Sequence, residues 1–179
     1  MSTCPRCQLM GGKSHHFENL GTFLLADKPV SIFYTNPART VESADAPEAP
    51  QWWMSHFEST KPNKWIWIFD CQHTSSSQMM SIQSAKRLVS LMYEVHKDTL
   101  QGIYVVQPSW SIKTFLQILT PFVKKDVRHR LHIYSNGLLD TVSKFKGLGI
   151  KGQELQTLMK NLQSPATPLQ ASTHSKTLA

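Results

Sequence analysis

Two unbroken apolar runs of strand length most constrain how this chain can fold: KWIWIFDC at residues 64–71 and IYVV at 103–106. A strand that is apolar at nearly every position has no wet face and must be covered on both sides. Between the two runs, Ile82, Ala85, Leu88, Val89, Met92 and Val95 recur at intervals of three and four, while Lys86, Arg87, Glu94 and Lys97 fall on other faces. That spacing predicts an amphipathic helix over 78–97. Buried strand, helix, buried strand is the pattern of a parallel pair joined by a crossover. The pattern continues with a strand at 102–107, a helix from Trp110, a strand at 131–135 and a closing helical stretch at 152–162. Upstream, KPVSIFYT (Lys28–Thr35) reads as a further strand and QWWMSHFEST as a short helix. The expected fold class is α/β, with a mostly parallel sheet and crossover helices.

The segments outside this pattern differ in composition. Residues 1–19 mix Gly, Ser, Cys and His without periodicity and are expected to form a flexible N-terminal arm. Residues 20–162 form one domain, as the total of 179 residues suggests. Residues 163–179 have no acidic residue and almost no apolar pattern, so a disordered tail is expected. No apolar stretch approaches the roughly 20 residues needed to span a bilayer. Three cysteines are an odd count and too few for a disulfide scaffold, which favours a reducing, cytoplasmic setting.

The formal charge of +7 is uneven. Residues 1–98 hold nine Lys/Arg against nine Asp/Glu, and residues 99–179 hold ten against three. The second half therefore carries the whole excess, and an anionic partner would meet it there. Lys124, Lys125, Arg128 and Arg130 cluster after the helix that begins at Trp110, and are the candidate contacts with an anionic membrane surface. Trp52, Trp53, Trp65, Trp67 and Trp110 accompany apolar runs, and no nucleic-acid-binding motif is present, so nucleic acid is not an expected partner.

Within that helix Ser109 is placed to cap the first turn. Ile112, Phe115, Leu116, Leu119, Phe122 and Val123 share one stripe, with Trp110 and Ile118 widening it. Pro121 has no backbone N–H and must kink or stop the helix, making it the expected hinge. The block LQGIYVVQPSWSIKTFLQILTPFVKKDVRHRLHIYSN, together with KWIWIFDC, the helix after it and FKGLGIKGQEL, resembles the CRAL-TRIO lipid-binding family, in particular its BCH-like branch. The resemblance covers about residues 20–162, without the N-terminal helical lobe usual in that family. It implies a movable helix over an apolar pocket floored by the sheet, with Trp110, Ile112, Phe115, Leu116, Leu119 and Phe122 facing a lipid or other hydrophobic molecule. It also implies a non-enzymatic protein without a cofactor. The alternative is an interaction module for a small GTPase or another protein, its pocket filled by its own side chains.

Three other patterns carry less. Cys4 and Cys7, with His15 and His16, offer four zinc ligands. No second CxxC follows, and adjacent histidines are awkward partners on one tetrahedral ion, so no metal is expected. GLGIKG at 147–152 spells G-x-G-x-x-G, but lacks the preceding strand, following strand and distant acid of a dinucleotide site. Asp70, Cys71 and His73 lie at the end of a buried strand. Cys71 and His73 are too close in sequence for a nucleophile and its base, and Cys71 is expected to pack as a small hydrophobe.

Overall fold

The computed structural model describes residues 4–9, 15–40, 46–61 and 63–165. Of the expected tail at 163–179, residues 166–179 lie outside the described residues, and Gln163 is the last residue of a helix. A five-stranded sheet runs in strict sequence order: β1 (Glu18–Leu25), β2 (Lys28–Thr35), β3 (Lys64–Asp70), β4 (Leu100–Val106) and β5 (Leu131–Tyr134). β1 and β2 form an antiparallel hairpin, and β2 to β5 are parallel. The α-helices among the described residues are α1 (Pro5–Leu9), α2 (Ala49–Phe57), α3 (Ile82–His96), α4 (Trp110–Leu119), α5 (Lys125–Arg128), α6 (Leu138–Gly147) and α7 (Gly152–Gln163). The fold is mixed α/β with a mostly parallel sheet. None of the described helices is long and apolar enough to cross a membrane.

Sequential strand order decides where the helices go. Crossovers of one hand that always step the same way along a sheet place every connecting helix on the same face. Accordingly α2, α3 and α4 share one core with Phe33, Trp65, Trp67, Ile103 and Val105. The alternate strand residues, Ile32, Tyr34, Ile66, Ile68, Tyr104 and Val106, face the other way and meet α6 and α7 through Phe145, Leu155, Leu158 and Leu162. Both faces are thus covered, the condition that the unbroken apolar runs of β3 and β4 demand.

β1 escaped the sequence pattern for a local reason. Register shifts between Asn19 and Gly21, so a bulge breaks the two-residue period, and Leu20 and Phe23, three apart, are both buried. Gly21 takes φ +115° there, and a Cβ would press on Glu154 of α7. The turn at Ala26–Asp27 has positive φ at both residues, as a two-residue hairpin of this twist requires. α6 was also unassigned from sequence. The glycines of 147–152 join α6 to α7; no strand precedes them.

Of the segment 1–19, where a flexible arm is expected, residues 4–9 and 15–19 are described. Cys4 and Cys7 are buried, α1 packs on α2, and the Arg6 guanidinium lies over the Trp52 ring.

The inner stripe of α3 runs through Ala85, Leu88 and Met92 to His96, while Val95 is partly exposed. His96 lies between the rings of Phe57 and Trp65, and its Nε2 is buried without a hydrogen-bond partner among the described residues. Burial holds its pKa below the usual 6.5, with Lys61 adding to the effect. The unfolded chain then binds a proton that the folded one refuses, so stability falls as pH drops below about 6.5. Denaturant midpoints between pH 8 and pH 5 are expected to decline less in His96→Phe than in the parent. Equal slopes would assign the decline to other groups.

Candidate functional site: an apolar cavity under helix α4

On the crossover face, β3, β4 and β5 floor a cavity of about 160 Å³ with Trp67, Phe69, Ile103, Val105 and Leu131. α2 contributes Ala49 and Trp53, and α3 contributes Ala85, Leu88, Val89 and Met92. α4 closes the space with Ile112, Phe115, Leu116 and Leu119, and Val123 and Val127 continue the wall. Ser109 caps α4 by accepting from the Ile112 N–H at 3.4 Å. Ile112 and Leu119 are buried, and Phe115 and Leu116 are half-buried toward the cavity. Met79 and Met80 add flexible thioether side chains, which refill irregular space at little cost.

Trp110 and Phe122 do not line the cavity. Trp110 is 81% exposed at the first turn of α4. Phe122 is 56% exposed and carries the Lys86 ammonium 3.2 Å above its ring. Helical periodicity places Phe122 on the inner stripe only if the helix continues. At Pro121 the backbone instead tightens into a 3₁₀ turn over Thr120–Phe122, which rotates Phe122 outward. Thr120 bonds back to the Leu116 carbonyl at 2.6 Å and closes the last turn of α4.

The basic cluster is largely engaged within the fold. Arg128 donates to the carbonyls of Pro121 and Val123, which tethers the chain just after α4. Arg130 donates to the carbonyls of Lys97 and Leu100, between α3 and β4. Lys124 sits 4.1 Å above the Tyr93 ring. Lys125 is exposed.

The lining is almost entirely apolar, and its polar residues are His15, Thr40, Thr74 and Gln78. The Thr40 and Thr74 hydroxyl oxygens are buried and have no hydrogen-bond partner among the described residues. Such atoms are costly unless something meets them.

Beside the cavity, the end of β3 is a structural polar network. Asp70 is fully buried and accepts from Tyr34 at 2.6 Å, Asn36 at 3.1 Å and the Gln72 N–H at 3.0 Å. Burial raises the Asp70 carboxyl, and burial and then the Asp70 charge raise the Cys71 thiol far above its usual range. A thiol so held is a poor nucleophile. His73 is exposed. Asp70 and Cys71 belong to the packing of the strand end.

A family model for the CRAL/TRIO domain matches residues 50–147, which include α2 to α6 and every strand that floors the cavity. Among solved structures, the chain is similar to the crystal structure of Sfh5, at 11% identity and a TM-score of 0.53. The likeness covers 78% of this chain and 64% of that one, and at such identity it is a likeness of fold. No curated protein sequence matches.

Proposed function

Since the chain belongs to the CRAL/TRIO domain family, we propose that it binds a hydrophobic ligand, a lipid, in the cavity under α4. The carrying observation is an apolar cavity whose lining includes two buried hydroxyls, those of Thr40 and Thr74, without a hydrogen-bond partner among the described residues. Acyl chains would meet Trp67, Val105 and the inner side of α4, while a carbonyl or hydroxyl near the headgroup would meet Thr40 and Thr74. Size requires movement. An engineered cavity of about 150 Å³ holds a molecule no larger than benzene. A space of about 160 Å³ therefore represents a closed state, and a lipid enters only if α4 swings out.

The joint after α4 suits that motion, with Pro121 breaking the helical ladder. Trp110 and Ile118 of α4 and Phe122 in the turn after it are exposed, Lys86 lies over the Phe122 ring, and Lys125 is exposed three residues further on. In this reading those rings enter the headgroup region of an anionic membrane while α4 is open, and the lysines meet its phosphates.

The chain, incubated with vesicles of phosphatidylcholine and an anionic phospholipid and then reisolated, is expected to show one bound lipid in its native mass spectrum. Bare mass after both purification and incubation would overturn the proposal. It would favour a protein-interaction module of the BCH-like kind, for a small GTPase or another protein.

A further inference from the structure

Cys4, Cys7, His15 and His56 are all buried, and one ligand atom from each lies within 4.8 Å of the other three. His15 Nδ1 is 3.7 Å from Cys4 Sγ, 3.6 Å from Cys7 Sγ and 3.2 Å from His56 Nε2. Cys7 Sγ is 3.4 Å from His56 Nε2. These are the edge lengths of a metal tetrahedron. With Zn–S about 2.3 Å and Zn–N about 2.0–2.1 Å, tetrahedral angles give S···N edges of about 3.5–3.6 Å and an N···N edge of about 3.3–3.4 Å. These four of the six edges agree to within about 0.2 Å, and the other two, Cys4 to Cys7 and Cys4 to His56, lie within 4.8 Å.

We infer that these four residues form a structural zinc site. Two thiolates and two imidazoles in a tetrahedron are the donor set of zinc, whereas calcium and magnesium take oxygen ligands. Four protein ligands leave no open position, so the site holds structure and does not activate water. The two cysteines were the sequence candidates, but the ligand set differs from the one considered. His16 turns away: its Nδ1 accepts from the Asn36 N–H at 3.1 Å, and its ring meets Tyr34. The fourth ligand comes from α2. The awkwardness of adjacent histidines on one ion therefore does not arise.

His56 follows Trp53 by three residues and precedes Phe57 on the buried side of α2. The site thus ties Cys4, Cys7 and His15 to the helix whose Ala49 and Trp53 line the cavity, and His15 itself is one of the lining residues. Its neighbours Trp52, Trp53 and Phe17 surround the imidazoles with rings, keeping water from the ligands.

The full chain, expressed with zinc in the medium and purified without chelators, is expected to hold one zinc per molecule by plasma mass spectrometry. The Cys4→Ser, Cys7→Ser pair and His56→Gln should each lose it, and His16→Gln should keep it. Replacing zinc by cobalt in the unmutated chain should give the intense visible bands of a tetrahedral ion with thiolate ligands. That readout does not depend on whether a variant folds. A metal-free chain that also gives no such cobalt spectrum would overturn the inference, as would full zinc retention in folded His56→Gln.

Discussion

Truncating Phe57 to Ala is expected to lower the unfolding free energy by about 3–5 kcal/mol, a large part of the 5–15 kcal/mol typical of a domain. Phe57 is fully buried where α2 meets the sheet. Its ring lies 5.0 Å from Trp67, 5.3 Å from Trp65, 5.6 Å from Phe17 and 6.0 Å from His96, measured between centroids. Large rigid rings on several sides cannot collapse into the space left behind, which puts the cost at the upper end of the large-to-small range. Leu119→Ala provides the contrast. Its side chain borders an existing cavity, so fewer packed contacts are lost and the cost should stay below about 2 kcal/mol. Urea midpoints of the two variants test the difference. Equal, large losses would make α4 a core helix and remove the basis for a swinging wall.

Filling the cavity is expected to have the opposite signature. Ala85 is buried on α3 and lines the cavity, so Ala85→Phe would put a ring of about benzene size into space that accepts one. Uptake of a fluorescent acyl probe should fall at least tenfold, or about 1.4 kcal/mol in affinity. The melting temperature should hold or rise, as cavity-filling substitutions commonly add about 0.5–2 kcal/mol. Lost uptake with preserved stability separates a ligand site from a packing defect. Unchanged uptake would place the ligand elsewhere.

The buried strands were legible because both faces of β3 and β4 are covered, so burial appears in the sequence as uninterrupted apolar runs. β1 was hidden by its bulge at Leu20. α6 was hidden because its buried side includes Thr141, while Leu139 stands 85% exposed in the first turn. At the cavity, the stripe Ile112, Phe115, Leu116 and Leu119 could be read from spacing alone. Phe122 could not, since spacing reports an angle around an axis and says nothing once Pro121 has changed the axis. His56 lies 41 residues from His15, and only the fold brings them together. Its one trace in the sequence is an imidazole on the apolar side of a short helix, between Trp53 and Phe57.

The division of labour between the two sheet faces also sets an order of assembly. The crossover helices are made with their strands and can cover one face as synthesis proceeds. The opposite face waits for α6 and α7, the last of the described helices in chain order. α7 closes against β1, with Arg39 donating to the Asn161 carbonyl across 122 residues of sequence and Asn161 meeting Glu18 across 143. Until residue 162 has left the ribosome, α6 alone can lie over Ile32, Ile66, Ile68 and Val106, and their cover is incomplete. Contacts so distant in sequence form late and slowly, and an uncovered apolar sheet is the species that aggregates in the meantime. A nascent chain arrested before α7 is therefore one for a chaperone to hold, and its release should coincide with the docking of Leu158 and Leu162.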